Sequence, residues 1–184
     1  MVLYLVMAGW AVVGWAFHVR LAAMVARAIA PTGAMFTFVA LWTGALWGKP
    51  TWGAWWVWDA RLTSELILLF LYLGYIALVE SIDDIRRADN AGALLALVGA
   101  INVPVIYFSV RWWNTLHQGA SVSMTAAPKM ASTMLTAMLL MTFACWAYAF
   151  AVVFMRTRAI VLEREGDAEW VRQLRHTNFG RRTA

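Results

Sequence analysis

Long apolar runs alternate with short polar stretches along this chain. Five such runs lie at residues 1–18, 29–47, 62–79, 91–110 and 133–155. Each is close to the roughly 20 residues that an α-helix needs to cross the hydrocarbon of a bilayer. The pattern therefore predicts an all-α fold, a polytopic integral membrane helical bundle with five transmembrane spans.

The composition supports a membrane protein with a single domain. Of 184 residues, 62% are hydrophobic and 14% are charged, and the mean hydropathy is +0.65. A water-soluble domain of this size could not bury so much apolar surface. The remaining polar stretches are too short to form a second core. We expect a transmembrane domain at 1–155, with loops at 47–61 and 111–131, and a basic tail at 156–184.

Lysine and arginine are distributed unequally between the two sides of the predicted bundle. One side, which includes the tail with its seven arginines, carries eleven basic residues, and the other carries four. Basic residues near span ends favour the cytoplasm, so both loops and the first residue are predicted outside. The net charge of +5 and the pI near 9.9 then reflect topology and attraction to acidic lipid, and nucleic-acid binding is not indicated.

The segment at 47–59 holds five of the twelve tryptophans. Pro50 and Thr51 are plausible helix-start residues, and a short amphipathic helix from there would place four residues on one face: Trp52, Trp55, Trp56 and Asp59. Such an aromatic shelf could stack a large planar ligand, each ring contact adding roughly 0.5–1.5 kcal/mol. The alternative is an interfacial belt, where tryptophan is ordinarily enriched.

Only one of the three histidines is predicted on the outer side. His18 is predicted at the inner end of the first span and His176 in the inner tail. His117 follows Arg111, Trp112 and Trp113 in the sequence RWWNTLHQG of the outer loop. A neutral imidazole is a good ligand for haem iron, and aromatic side chains can cover a porphyrin face. His117 is therefore the candidate metal ligand, with a polar surface residue as the alternative.

Other side chains near these loops have candidate roles. Haem propionates need cations, and four are predicted outside: Lys49, Arg61, Arg111 and Lys129. Arg61 could instead pair with Glu65, and Asp59 could orient Arg61 or cap the third span. Met124 or Met130 could supply a further iron ligand. The single cysteine, Cys145, excludes an intrachain disulfide and the CxxCH signature of covalent haem attachment.

Two stretches carry a family resemblance. WGAWWVWD at 52–59 matches the WGxxWxWD signature of haem-handling membrane proteins. The wider sequences WGKPTWGAWWVWDARLTSELILLFLYLGYIAL and YFSVRWWNTLHQG resemble the CcmC family of the cytochrome c maturation system. The resemblance covers about residues 28–119 and extends more loosely through the last span.

This resemblance implies that the protein holds non-covalent haem b at the outer face of the bacterial inner membrane. It also implies partners: the haem chaperone CcmE, which receives the haem, and the subunits CcmA, CcmB and CcmD. The signature positions are Trp52, Gly53, Trp55, Trp56, Trp58 and Asp59, and His117 matches the family histidine. The family has six spans and a second axial histidine in an HVP-type motif. This chain lacks that motif, and we expect a preceding span to be missing.

The leading hypothesis is a protein that binds, orients and hands over haem, rather than an enzyme. Haem would lie edge-on against Trp52, Trp55 and Trp56, ligated by His117, with its propionates towards Arg61 or Arg111. The alternative is a permease or docking subunit of an ABC-type transporter without its own cofactor. Electron transfer through a b-type haem would need paired histidines in facing spans, and the sequence has none.

Overall fold

The computed structural model describes residues 1–113, 115, 117, 130–166, 168 and 169, and all regular secondary structure among them is helical. The helices are α1 (Val2–Phe17), α2 (Arg20–Trp52), α3 (Ala60–Glu80), α4 (Ile85–Ala100), α5 (Asn102–Trp112) and α6 (Ser132–Arg164). The predicted all-α membrane bundle is confirmed. The predictions for Met124, Lys129, His176 and most of the 111–131 loop and the tail lie outside the described residues.

Four of the five predicted spans coincide with helices long and apolar enough to cross a membrane. These are α2, α3, α6 and the unit Ile85–Trp112, in which α4 and α5 follow one another. Pro104 lacks the N–H that would bond the carbonyl of Ala100, which accounts for a break at this point. The first predicted span corresponds to α1, which is apolar but only 16 residues long.

The core lies where the first five helices, α1 to α5, pack against one another. Its fully buried large side chains are Tyr4, Met7, Leu68, Tyr72 and Ile106. Small residues let the helices approach closely, as is usual between membrane helices. Gly33 of α2 lies directly against the ring of Tyr72 in α3, and Gly99 of α4 lies against Tyr4 in α1. The spacing of these helices therefore depends on glycines that face aromatic rings.

The last helix is attached differently. Ala149 is the only buried residue among those of α6, which packs mainly on α2, with an edge contact of 6.0 Å between the rings of Phe36 and Tyr148. At its end, Arg164 donates two hydrogen bonds of 2.9 Å to the carboxylate of Asp89 in α4. A bidentate pair of this kind is among the stronger polar contacts in proteins, and it fixes the end of α6 to the bundle.

The prediction of a short tryptophan-rich helix starting at Pro50 is wrong. Pro50 and Thr51 lie in the last turn of α2, which ends where Gly53 adopts a left-handed conformation (φ 76°) and donates its N–H to the carbonyl of Lys49 at 3.0 Å. Glycine is the usual residue for this helix-ending geometry. Residues 53–59 are not helical, so Trp52, Trp55, Trp56 and Asp59 do not share one helix face.

The contact between Gly33 and Tyr72 gives a stability prediction. We expect Gly33→Ala to lower the apparent melting temperature of the detergent-purified protein, because the added methyl group meets the Tyr72 ring and overpacking typically costs about 1–3 kcal/mol. Gly9→Ala is the matched control, since nothing lies within 4 Å of the methyl position there. A thermal melt in which both variants behave alike would contradict the packing argument.

Candidate functional site

Asp59 lies at the junction between the tryptophan-rich loop and α3, and each of its carboxylate oxygens has a partner. Oδ1 accepts a hydrogen bond of 2.8 Å from the backbone N–H of Leu62, which makes Asp59 the N-cap of α3. This confirms the predicted capping role. Oδ2 lies 2.7 Å from Nδ1 of His117. A residue 58 positions further along the chain is thus held at the start of α3.

The contact with Asp59 determines which nitrogen of His117 remains available. A carboxylate accepts hydrogen bonds and does not donate them, so Nδ1 carries the proton and the neutral ring keeps its lone pair on Nε2. The side chain of Asp59 is 6% exposed and that of His117 is 20% exposed. No described residue bonds Nε2, and a carboxylate behind a histidine of this kind is the arrangement that orients histidine ligands in many metalloproteins.

Aromatic rings fix the other side of the imidazole. The ring of Trp52 meets that of His117 edge-to-face, with centroids 4.8 Å apart. Trp52 itself packs edge-to-face on Trp47, with centroids 5.3 Å apart. The last turn of α2 therefore supports His117 from one direction while Asp59 holds it from another, and the ring has little freedom to rotate.

A groove of about 540 Å³ opens beside His117. This volume is within the roughly 300–1,000 Å³ of typical ligand sites. The lining comes from α2, α3, the start of α1 and the loop after α5: Met1, Ala40, Leu41, Thr43, Gly44, Trp47, Arg61, Leu62, Glu65 and His117. The walls are mainly apolar, with one guanidinium and one carboxylate from successive turns of α3. No ion pair joins Arg61 to Glu65 in the described part of the chain.

The other tryptophans of the loop have separate neighbours. Trp55 is 56% exposed, and Nζ of Lys49 lies 5.9 Å above its ring. Trp56 and Trp58 pack edge-to-face, with centroids 5.5 Å apart, and Trp58 is 74% exposed. The predicted flat shelf of Trp52, Trp55 and Trp56 is therefore not formed. Nε1 of Trp56 is buried without a hydrogen-bond partner among the described residues. Its indole N–H can therefore donate a hydrogen bond to a further group.

The aromatic residues before His117 lie apart from the groove. Trp112 stacks on Phe108 with centroids 5.1 Å apart, and Trp113 meets Trp112 edge-to-face at 5.9 Å. Both are more than half exposed, and Arg111 is also exposed. These three residues and Met130 do not line the groove. Of the two arginines predicted to meet propionates, the structure places only Arg61 beside His117.

Sequence reasoning missed Trp47 as a wall of the groove and a support for Trp52. The signal was present, since Ala40, Thr43, Gly44 and Trp47 lie at i, i+3, i+4 and i+7, which is one face of a helix. The spacing alone does not show that this face of α2 meets His117. The bond between Asp59 and His117 left no signal in a single sequence.

Comparison with known proteins gives consistent results. The family model described as "CcmC: Heme exporter protein C" matches residues 1–172. Heme exporter protein C of Escherichia coli (strain K12) is 45% identical over 173 residues, which are 94% of this chain and 69% of the relative. The protein of the same name from Bradyrhizobium diazoefficiens is 49% identical over 154 residues, 84% of this chain and 57% of the relative.

A relative with a mitochondrial name is also similar. The "Putative cytochrome c biosynthesis ccmC-like mitochondrial protein" of Marchantia polymorpha is 42% identical over 137 residues. These are 74% of this chain and 57% of the relative. In each of these relatives, the matched region includes only part of the related protein.

Proposed function

This chain belongs to the CcmC family, the heme exporter protein C family, and from that premise we propose that it binds non-covalent haem b in the groove beside His117 and hands it to a partner. The names of its relatives place the family in haem export and cytochrome c biosynthesis. In this proposal the site faces the periplasm at the inner membrane, CcmE receives the haem, and CcmA, CcmB and CcmD complete the assembly.

The observation that carries the proposal is the 2.7 Å contact between Asp59 and His117. It leaves Nε2 as the ring nitrogen without a partner among the described residues, in a ring that Trp52 also contacts. A bound haem would supply an iron centre, and His117 would hold it through a ring nitrogen. The protein contributes a histidine whose orientation is already fixed in the folded state. Haem binding therefore does not have to order this side chain, and it loses less conformational entropy.

The groove also offers contacts for the porphyrin ring and for the propionates of haem. Trp47, Leu41 and Leu62 supply an apolar wall, as ligand sites for large planar molecules require. Arg61 supplies a guanidinium at the same groove, and arginine is well suited to pair with a carboxylate such as a propionate. The donor set and the walls therefore fit haem, with Arg61 preferred over Arg111 as the propionate partner.

The resemblance implies a second axial histidine, which this sequence does not contain. Met1 lines the same groove as His117, so the start of α1 is close to the proposed haem. In the proposal, His117 is the iron ligand that this chain contributes.

Handover requires a surface that the partner can reach. The best candidates are Trp55 and Trp58, because they are the most exposed tryptophans of the 47–59 segment and neither lines the groove. We propose that they meet CcmE or the exposed edge of the haem, whereas Trp47 and Trp52 shape the site itself. The signature tryptophans would then have two roles.

This division of roles gives a transfer prediction. In detergent, the protein loaded with haem is mixed with purified CcmE, and transfer is followed by separating the two and recording each absorption spectrum. We expect the double variant Trp55→Ala, Trp58→Ala to retain haem but transfer it about 30-fold more slowly, since each of the two exposed aromatic contacts contributes about 1 kcal/mol. Trp42→Ala, an exposed tryptophan of α2 outside the groove, is the control.

Two other results would contradict this proposal. Loss of haem binding in the Trp55, Trp58 variant with normal transfer of whatever remains would show that these rings belong to the binding site. Failure of the unaltered protein to show any Soret band with added haem would favour the alternative function, a docking subunit without a cofactor.

A further inference from the structure

A second cavity, of about 340 Å³, lies at the other end of the bundle. It is enclosed by the end of α1, the starts of α2 and α4, and the end of α6. Met1 lines the groove of His117, whereas His18 lines this cavity. The 16 residues of α1 separate the two, which is about 24 Å at 1.5 Å per residue. The cavity is therefore distinct from the proposed haem site.

The cavity contains more positive than negative charge. Arg20, Arg86 and Arg164 line it together with Asp89 and Glu165, and three guanidinium groups against two carboxylates leave one excess positive charge. Asp89 is engaged by both nitrogens of Arg164. Arg20 and Arg86 are exposed and form no hydrogen bond or ion pair with any other described side chain. Their guanidinium groups are thus free to bind an anion.

Backbone donors add to this charge. The N-cap of α2 is Val19, which has no side-chain cap, whereas Asp59 and Asp84 cap α3 and α4. Val19 and Arg20 both line the cavity, so the uncapped first turn of α2 lies at its wall. The N-terminus of a helix favours negative charge and suits a phosphate group in particular.

The surroundings indicate a membrane interface. Trp15, in the last turn of α1, is 54% exposed and also lines the cavity, and tryptophan is enriched at the level of lipid head groups. Basic pockets between membrane helices at this level bind acidic lipids. The geometry points to a binding site for the phosphate head group of an anionic phospholipid, formed by Arg20, Arg86 and the first turn of α2.

Native mass spectrometry of the full chain in detergent tests this assignment. We expect phosphatidylglycerol to bind more tightly than phosphatidylcholine. Arg20→Gln with Arg86→Gln should weaken phosphatidylglycerol binding about 25-fold, since each basic residue contributes about fivefold. The matched control is Arg156→Gln with Arg158→Gln, which removes the same charge from two exposed residues of α6 that do not line this cavity.

The proposal would be overturned if the two double variants weakened phosphatidylglycerol binding equally, or if the two lipids bound equally well. It would also be overturned if millimolar inorganic phosphate displaced phosphatidylglycerol, because the site would then be one for free phosphate. Should the Arg20, Arg86 variant lose helical circular dichroism, the single variants replace it, each with an expected loss of about fivefold. Haem binding at His117 should be unchanged in all of them, so the outcome is independent of the proposed function.

Discussion

Replacing His117 with glycine is expected to reduce haem affinity more than about 100-fold and to remove the Soret band of the ligated species. The reason is that His117 offers the only free imidazole nitrogen at the groove within the described residues. Even partners that only orient a metal ligand cost 10–100-fold when removed, so loss of the ligand itself should cost more. The measurement is a spectrophotometric titration of the detergent-purified protein with haem.

Rescue by added imidazole distinguishes loss of a ligand from loss of the fold. Glycine leaves a space beside Trp52 and Asp59, and a free imidazole that enters it can bond the carboxylate of Asp59 and present its other nitrogen. We expect tens of millimolar imidazole, roughly 10,000-fold above a micromolar protein concentration, to restore the ligated spectrum by mass action. His176→Ala, a change in the tail, serves as the control. An unchanged spectrum in the glycine variant would rule out His117 as the ligand.

The helices were predictable because their signal is local. In lipid every backbone polar group must be bonded within the segment, so an apolar run of sufficient length has few alternatives to a helix. The capping role of Asp59 was also predictable, since a carboxylate before an apolar run satisfies the first free N–H groups. Both features depend on residues within a few positions of each other.

The predicted tryptophan helix failed at Gly53. The spacing of Trp52, Trp55 and Trp56 favours a helix with all three on one face, whereas the glycine between Trp52 and Trp55 favours a helix end. The structure follows the glycine, because Gly53 adopts a left-handed conformation that ends α2 and that a residue with a side chain adopts at a cost. A periodic pattern that contains a glycine is therefore weaker evidence for a helix than its spacing suggests.

The site itself depends on contacts between distant parts of the chain. Asp59 and His117 belong to different loops, and nothing in either loop specifies that they meet. Their contact follows from how α3 and α5 pack, including the 2.8 Å hydrogen bond from the side chain of Asn102 to the carbonyl of Ser64. Sequence reasoning identified both residues but assigned Asp59 to Arg61 or to the cap, because local neighbours are all that a single sequence shows.

Changing Asp59 to asparagine should weaken haem binding about 10–100-fold while leaving α3 intact. Asparagine is as good an N-cap as aspartate, so the bond to Leu62 can persist. The negative charge opposite Nδ1 is lost, however, and with it the contribution that fixes the tautomer and makes the imidazole a stronger donor to iron. A weaker donor stabilises ferric iron less, so the midpoint potential of the bound haem should rise.

Asp84 provides the matched control for this change. It caps α4 through a 2.7 Å bond to the N–H of Arg87, as Asp59 caps α3, but it has no histidine partner among the described residues. Asp84→Asn should therefore leave both haem affinity and midpoint potential unaltered, whereas Asp59→Asn should change both.

If Asp59→Asn behaved like Asp84→Asn, the carboxylate would serve only as a helix cap, and the orientation of His117 would have to depend on Trp52. If instead Asp59→Ala lowered thermal stability without a larger loss of haem than Asp59→Asn, the cap and the histidine contact would be established as separate contributions of the same side chain.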